Sequence, residues 1–267
     1  MITHAENPII IEQGEIKVDK IPLGEKKCLG VVEPNKEFIR RYVSEHGHQM
    51  FTFQLMLEGV TQNTWQIYVY GEEREKTEKQ TVVYTQNWNL AKEALQQGKN
   101  VIFAPYLSDL SYECPPLSIK NVFWNGQMVP SWGRSLGMII DKSCSVFEEF
   151  PTEPDGGWQW EDILAHARGF HMQGSLAKLH PIVRVIDDWN RNLPLALLFE
   201  AQVEKGRLLV VSADLSGDFE KRPAAYAWKQ ALIHYASSKA FAPQERVEAE
   251  DIERNFFEAL RMEPLTK

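Results

Sequence analysis

Short runs with high β-propensity, separated by Gly, Pro and Asn, occupy residues 9 to 70. The runs are PIIIEQGEIKV, KKCLGVVEP, HQMFTFQLMLEG and NTWQIYVYG. Within the third, Phe51, Phe53, Leu55 and Leu57 recur at every second position, which is the period of a strand with one face on a core and the other partly exposed. The pattern predicts a small antiparallel β module over residues 1–75.

The hydrophobic period changes after a charge-dense stretch. That stretch, GEEREKTEKQ at residues 71–80, is typical of a solvated linker. Beyond it, TVVYT and KNVIFAP are continuous apolar runs of strand length, and NWNLAKEALQQG between them is typical of a helix that ends at Gly98. This βαβ pattern predicts a parallel sheet with helices on both faces and a right-handed crossover, in a second domain over residues 81–267.

Further strands and helices are predicted in the second domain. LGMIID and PIVRVID have the pattern of strands, and LALLFEAQVEKGRLLVVSADL has the pattern of a hairpin that turns at Lys205-Gly206. RPAAYAWKQALIHYASSKAF, with Pro223 in its first turn, and AEDIERNFFEALRM are predicted helices. Residues 105 to 136 have no clean period, and a loop of that length is often functional or a linker. The second domain is therefore predicted to have an α/β fold.

Composition and charge narrow the function classes. The 267 residues are 43% hydrophobic and include 8 Trp and 13 Phe, which is typical of a folded globular protein with more aromatic residues than a core demands. The net charge of -8 argues against nucleic acid and anionic membranes as partners, because both require clustered Lys and Arg. Neither a signal-peptide pattern nor a long apolar run occurs, so we expect a soluble chain without an export signal and leave its compartment open.

The sequence contains no recognisable catalytic constellation. Neither G-x-C-x-G nor G-x-S-x-G occurs, although the nucleophile of an α/β enzyme usually lies in such an elbow. Cys28, Cys114 and Cys144 are too scattered for a disulfide framework or a zinc site. Cys144 precedes a predicted helix, whose N-terminus can activate a thiol, but a small buried residue is the simpler interpretation. His46 and His48 are the closest histidine pair and have no third ligand near them, so we assign no catalytic residue, metal or cofactor.

The segment FPTEPDGGWQWEDILAHAR contains the first binding candidate. Trp160, Ile163, Leu164 and Ala167 form one apolar stripe of a helix, which makes Trp160 a predicted core anchor. Trp158 lies off this stripe, directly after a Gly-Gly pair in an acidic context. We consider it either a platform for a sugar ring, or a contact for a neighbouring domain, or a packing residue at the helix cap.

Asp187, Asp188 and Trp189 are the other binding candidates. They follow the predicted strand PIVRVID, and open α/β sheets bind ligands at the ends of their strands. Asp and Asn are also common in turns, so a turn is the structural alternative. Trp189, like Trp124 and Trp132 in the long loop, is a candidate for stacking on a sugar.

A family resemblance is carried by several segments in a fixed order. They are VFWNGQMVPSW, SLGMIIDKSCSVFEEFPTEPDGGWQWEDIL, LHPIVRVIDDWNRNLPLALLFEAQVEKGRLLVVSADL and RPAAYAWKQALIHYASSKAFAP. Together with NTWQIYVYG upstream, residues 50 to 243 resemble the C-terminal region of large bacterial proteins classed with glycoside hydrolase family 2, the β-galactosidase-like enzymes. The most specific pieces are FPTE…WQW, PIVRVIDDW and LLFEA…GRLLV.

The resemblance implies both a fold and a role. In such proteins this region is similar to the class I glutamine-amidotransferase fold, a flavodoxin-like, mostly parallel sheet with helices on both faces that has lost its catalytic elbow. A β-sandwich-like module precedes it. The catalytic residues of the family lie on a (β/α)8 barrel of about 250 residues, which does not fit beside the two domains of this chain. No family active-site residue is therefore carried over.

The leading hypothesis is a non-catalytic accessory region of a carbohydrate-active enzyme, with a structural, cleft-shaping or oligomerisation role. Its expected partner is the catalytic domain of the parent glycosidase or another copy of the chain, with carbohydrate as a further ligand. Two alternatives stay open. One is a carbohydrate-binding module that stacks tryptophan on sugar, and the other is a divergent amidotransferase-like hydrolase that uses Cys144 or another nucleophile.

Overall fold

The computed structural model describes residues 2–4, 10–18, 20–71, 82–119, 135–189 and 191–257. The chain divides into two compact units, Met1–Arg74 and Glu75–Lys267. Apart from its first residue, Gly71, the predicted linker lies outside the described residues.

The first unit contains a four-stranded antiparallel sheet and a helix. Its strands are β1 (Ile2–His4), β2 (Ile10–Glu12), β3 (Gln49–Leu57) and β4 (Thr61–Val69), and its helix is α1 (Lys36–His46). The strand order is β2-β1-β3-β4, and β3 and β4 form a hairpin in continuous register. The strands predicted from HQMFTFQLMLEG and NTWQIYVYG are confirmed, whereas only three residues of PIIIEQGEIKV form β2.

Helix α1 lies where the sequence pattern indicates only strands and turns. Asn35 caps it by accepting a backbone hydrogen bond at 3.0 Å, and Gly47, with a φ of 77°, ends it. Ile39 and Val43 pack with Phe51 of β3 in the small core of this unit. The all-strand prediction is wrong here because the cap residues and the spacing of the apolar residues are those of a short amphipathic helix.

The helix covers only one end of the apolar face of β3. Phe51 is buried and Phe53 is half-buried, whereas Leu55 and Leu57 at the hairpin end are 47% and 42% exposed. The predicted alternation is present, but a core lies under only part of it. The described part of this unit is one sheet packed on one helix, without the second sheet that a β-sandwich-like module has.

The second unit is a mixed α/β domain. Its strands are β5 (Val82–Thr85), β6 (Asn100–Phe103), β7 (Ser135–Ile140), β8 (Phe170–His171), β9 (Val183–Asp187), β10 (Pro194–Val203) and β11 (Gly206–Val211). Its α-helices are α2 (Trp88–Gln96), α3 (Val146–Glu149), α4 (Trp160–Ala165), α5 (Pro223–Ser237) and α6 (Ala249–Phe257). Short 3-10 turns lie at Leu107–Asp109 and Gly174–Lys178. In the described ranges, none of the helices is long and apolar enough to cross a membrane.

The central sheet is mixed rather than mostly parallel. Its strand order is β5-β6-β11-β10-β9-β7, with β8 paired to β10. The strands β5, β6 and β11 are parallel neighbours, and the other pairings among the described strands are antiparallel. The connections at residues 188–193 and 204–205 are too short for a parallel crossover, which needs about a dozen residues or more. The prediction of a mostly parallel sheet is therefore wrong for this half of the domain.

The predicted βαβ unit is confirmed, and helices cover both faces of the sheet. β5 and β6 are parallel, and α2 between them is terminated by Gly98, which follows the last turn with a φ of 78°. Val101 of β6 packs in one core with α2 and with Ile252 of α6. Asn100, which points to the opposite face, donates a hydrogen bond to the Ala236 carbonyl of α5 at 2.8 Å.

The hairpin of β10 and β11 is confirmed, with its turn displaced by one residue. Val203 pairs with Gly206, so the loop is Glu204-Lys205, and Glu204 adopts a φ of 52°. Gly206 is the first residue of β11, where a Cβ would lie 2.5 Å from the Lys99 carbonyl oxygen. The glycine that indicates a turn in the sequence is thus needed for a close backbone approach.

A shared carboxylate holds α6 against α2. Glu253 Oε1 accepts hydrogen bonds from Trp88 Nε1 and from Lys92 Nζ, each at 2.7 Å. The Lys92 hydrogen bond, followed by the Trp88 hydrogen bond, lowers the pKa of the Glu253 carboxyl. This contact ties the last described helix to the first helix of the domain.

We expect Glu253→Gln to lower the free energy of unfolding by about 0.5–1.5 kcal/mol near neutral pH, because a neutral amide replaces the charged acceptor. A carboxyl whose pKa is lowered by folding stabilises the fold above its unfolded pKa of about 4.3 and loses this contribution as the pH falls through the folded pKa. In chemical denaturation, the difference from the wild type should therefore shrink below about pH 4. Glu93→Gln, which removes an exposed carboxylate from α2, is the control. A loss in Glu253→Gln that does not change with pH would contradict this assignment.

Candidate functional site

One edge of the central sheet collects the ends of four strands. β5, β6 and β11 are parallel, and β9 has the same direction because β10 lies antiparallel between β9 and β11. Asp187, at the end of β9, therefore lies at the same edge as the ends of β5 and β6. β7 runs in the opposite direction, and its first residue, Ser135, pairs with Asp187.

At the end of β11, this edge of the sheet is covered by the backbone of residues 167–168, which crosses it. The Arg168 N–H donates to the Ser212 carbonyl at 3.0 Å, directly after the end of β11. The same crossing segment is bonded on its other side, where the Leu117 N–H donates to the Ala167 carbonyl at 3.0 Å. Open α/β sheets often bind ligands at the ends of their parallel strands. Over β11 this position is filled by protein.

The carboxylates of Asp187 and Asp188 are buried and serve the turn that follows β9. Asp187 is 3% exposed and accepts hydrogen bonds from Arg191 Nη2 at 2.6 Å and from the Leu193 N–H at 3.0 Å. Asp188 is 1% exposed, accepts from the Arg191 N–H at 3.0 Å and lies 3.3 Å from Arg191 Nε. The geometry favours the turn alternative for both residues, because their oxygens face protein donors.

The two candidate tryptophans are both exposed but differ in their surroundings. Trp189 is 63% exposed in the turn after β9. Trp158 is 75% exposed and lines a cleft that has a volume of about 310 Å³. Two residues later, Trp160 is fully buried with Ile163, so the predicted core stripe of α4 is confirmed.

The cleft beside Trp158, which we call the Trp158 cleft, lies between β7 and the segment that leads into α4. Its apolar lining includes Leu136 and Met138 of β7 and Leu164 of α4. Small-molecule sites have volumes of about 300–1,000 Å³, so this cleft is at the small end of that range. It has room for a ligand of the size of one or two sugar rings.

Asp155 is the only charged side chain among the described residues that line the cleft. It is exposed to solvent. Ser118 and Ser135 are also in the lining. The Ser135 hydroxyl donates to the Ser118 carbonyl at 2.6 Å and accepts from the Ser118 N–H at 3.2 Å, so it fixes the wall of the cleft. The charged group that the described lining provides is therefore a carboxylate.

The turn that carries Trp158 is fixed by a glycine and a buried indole. Gly156 has a φ of 95°, and a Cβ there would lie 2.5 Å from the terminal methyl group of Met138. Trp160 Nε1 donates to Thr152 Oγ1 at 2.8 Å, which ties the start of α4 to the beginning of the turn. A side chain at position 156 would therefore be strained by this backbone conformation and would displace the methyl group of Met138, which lines the cleft.

The surroundings of Cys144 are unlike those of a catalytic thiol. Its thiol lies beside Tyr235, whose hydroxyl donates to Glu200 Oε2 at 2.6 Å. Burial raises the pKa of the Cys144 thiol by more than the Val146 N–H at the start of α3 and Tyr235 lower it, and the charge of Glu200 raises it further. Reactive cysteines have a lowered pKa. The geometry therefore favours the interpretation of Cys144 as a packing residue.

The histidine pair considered as a metal site is engaged in local contacts. His46 Nδ1 is 2.9 Å from the Tyr42 carbonyl oxygen, and the two rings are stacked. His48 is buried and accepts a hydrogen bond from the Gly71 N–H at 3.1 Å. Within the described part of the chain, no three His, Cys, Asp or Glu side chains are placed to hold a metal ion. The other stacking candidates, Trp124 and Trp132, lie outside the described residues.

Residues 83–257 match the model of a protein family, a domain of unknown function named DUF8487. The chain belongs to the DUF8487 family. The match covers most of the second unit, and every described residue that lines the Trp158 cleft is inside it. None of the curated proteins compared with the chain matches it.

Sequence reasoning identified Trp158 of the DUF8487 domain but missed the residues around it. Asp155 was visible in the acidic segment TEPDGG, yet nothing local distinguishes it from the neighbouring carboxylates. Its position depends on the packing of the turn against β7, where the Ile140 N–H donates to the Pro154 carbonyl at 2.9 Å. The Gly-Gly pair was the available signal, because glycine often marks a close approach of two backbone segments.

We expect Cys144 to react slowly with iodoacetamide at neutral pH, because a raised pKa leaves little thiolate. The measurement uses a Cys28→Ser variant, since Cys28 is exposed, with peptide mass spectrometry to identify the modified residue. The rate should rise as the pH is increased towards the pKa of the thiol. The wild type, in which Cys28 is labelled, is the control. A rate for Cys144 above that of free cysteine at neutral pH would contradict this assignment and support the hydrolase alternative.

Proposed function

We propose that this chain is a non-catalytic accessory region of a carbohydrate-active enzyme similar to glycoside hydrolase family 2, and that it contacts carbohydrate through the Trp158 cleft. The observation that carries this proposal is the position of Trp158, which is 75% exposed on the wall of a small cleft with a carboxylate among its lining residues. The stand-alone alternative, a carbohydrate-binding module, rests on the same observation.

The chemistry of the cleft suits a sugar ring. An exposed indole is a large, flat apolar surface with one polar N–H group. Tryptophan is therefore enriched at interfaces that are apolar on one side and hydrated on the other. A pyranose has this character, because its C–H groups form an apolar face and its hydroxyls lie around the rim. The Asp155 carboxylate accepts hydrogen bonds, and a charged acceptor gives stronger hydrogen bonds than a neutral one.

Several features of the second unit support the proposed similarity to the flavodoxin-like, class I glutamine-amidotransferase fold. A βαβ unit leads into the parallel block β5-β6-β11, and helices cover both faces of that block. After β6, where a catalytic elbow is expected, the chain continues into the 3-10 turn Leu107–Asp109. The departure is the antiparallel half of the sheet, from β10 to β7.

The proposed partners follow from the accessory role. A region without its own reaction acts by packing on the catalytic domain of the parent glycosidase, by shaping its cleft, or by joining copies of the enzyme. Exposed apolar side chains such as Leu55, Trp65 and Ile67 in the first unit provide surface of the type that protein interfaces use.

We expect methyl β-galactoside to change the tryptophan fluorescence of the chain at a concentration of about 1 mM, which corresponds to a weak single-ring site. Trp158→Ala should abolish the change, because it removes the stacking surface. Trp189→Ala is the matched control, since it removes another exposed indole that is not among the residues lining the cleft, and it should keep the response. A response that Trp158→Ala retains, or no response in the wild type, would contradict carbohydrate contact through this cleft.

The accessory role is tested by the coding sequence upstream of Met1 and by an activity assay. We expect the reading frame to continue into a (β/α)8 barrel, which is the catalytic domain of the resembled family. We also expect the purified chain to leave nitrophenyl glycosides intact. Turnover of these substrates that survives repeated purification would show that the chain is itself a catalyst and would overturn the accessory role.

A further inference from the structure

We infer that the Trp158 cleft ranks sugars by charge, binding amine-bearing sugars most tightly, neutral sugars less tightly and carboxylate-bearing sugars most weakly. This inference rests on the proposed function, because it requires that the cleft binds sugars at all. It goes further by naming the class of sugar and the residue that selects it, Asp155.

The selection follows from the composition of the cleft wall. Asp155 is the only charged member of the described lining, and Leu136, Met138 and Leu164 contribute apolar surface. The carboxylate of a uronic acid would lose hydration near this like charge.

A sugar amine, in contrast, has two favourable partners in the cleft. The ammonium group is attracted to the Asp155 carboxylate, and an ammonium near the face of an indole such as Trp158 gains a cation–π interaction. A neutral sugar has neither gain and meets no repulsion. The three classes should therefore bind in the stated order.

Solvent screening limits the difference in affinity between the three classes of sugar. Asp155 and Trp158 are both exposed, and exposed ion pairs contribute only modestly to binding. We expect about a two- to fivefold difference in Kd between neighbouring classes at low salt. The difference should decrease at about 1 M salt, where the screening length is only about 3 Å.

The experiment compares three probes that share one ring skeleton and differ in charge. Methyl glucosaminide, methyl glucoside and methyl glucuronide are titrated at about pH 6, where the amine is protonated and the uronate is ionised. The Kd is read from tryptophan fluorescence or calorimetry. The expected result is the order amine, neutral, uronate in the wild type. In Asp155→Asn, the neutral sugar and the uronate should bind nearly equally, and the amine should keep only the smaller preference that comes from Trp158.

The variant Glu93→Gln distinguishes the local effect of the Asp155 carboxylate from the attraction of cations by the negative net charge of the chain. The net charge of -8 attracts all cations weakly, and Glu93→Gln changes it by the same amount as Asp155→Asn. Glu93 is exposed on α2, which packs with β5 and β6, at the opposite end of the sheet from β7. The ranking should be unchanged in Glu93→Gln.

Three other outcomes would overturn the inference. If the uronate binds as tightly as the neutral sugar, the charge ranking is wrong, whereas carbohydrate contact through the cleft stands. If the ranking is present but survives in Asp155→Asn, Asp155 is not the selecting residue. If none of the probes binds, both the inference and carbohydrate contact through the cleft fail.

Discussion

The burial of Trp160 fixes the segment from which the candidate site is built. Its ring is fully buried, packs edge-on against Trp228 of α5 with ring centroids 4.8 Å apart, and donates its N–H to Thr152. Removing an aromatic side chain of this size from water contributes about 1.5–3 kcal/mol, a large fraction of the stability of a domain. Trp158 lies in the turn directly before α4, which Trp160 anchors, and it is 75% exposed. The same contact that builds the core therefore presents the exposed indole.

The backbone that crosses the end of β11 is a second constraint, because it determines which part of the sheet edge a ligand can reach. The segment that follows α4 crosses the end of β11, and its Arg168 N–H is satisfied by the Ser212 carbonyl. Buried backbone groups need such partners, so this crossing is part of the fold and not a removable cover. Asp187 at the end of β9 and Asp188 after it likewise accept hydrogen bonds from Arg191 and from backbone N–H groups. The side of β7 that carries the Trp158 cleft, in contrast, combines exposed side chains with a concave wall.

Much of the fold was predictable because local patterns and tertiary packing agree. The spacing of Trp160, Ile163 and Leu164 gives the inward face of α4, and Pro223 marks the start of α5. Where a local signal has two interpretations, prediction failed. Gly206 has the pattern of a turn residue, but it makes room for the Lys99 carbonyl, and the caps of α1 lie among residues with a strand-like pattern. The direction of β7 was not readable, because strand direction depends on pairing between distant segments.

The candidate site was only partly predictable for the same reason. Trp158 stands out in the sequence because it falls off an apolar stripe, but the wall opposite to it comes from β7, and the local sequence does not indicate that approach. Asp187 and Asp188 have the sequence position of ligand-binding residues, whereas their burial and their hydrogen bonds with Arg191 depend on a turn geometry that composition alone does not specify.

The most direct test of carbohydrate contact through the Trp158 cleft is a crystal structure of the chain soaked with methyl β-galactoside. We predict density for a sugar ring stacked on the indole of Trp158, within contact distance of about 4 Å, with a hydroxyl directed at Asp155. Density at Trp189 or at the ends of β5 and β6, with the cleft empty at a saturating sugar concentration, would contradict this proposal.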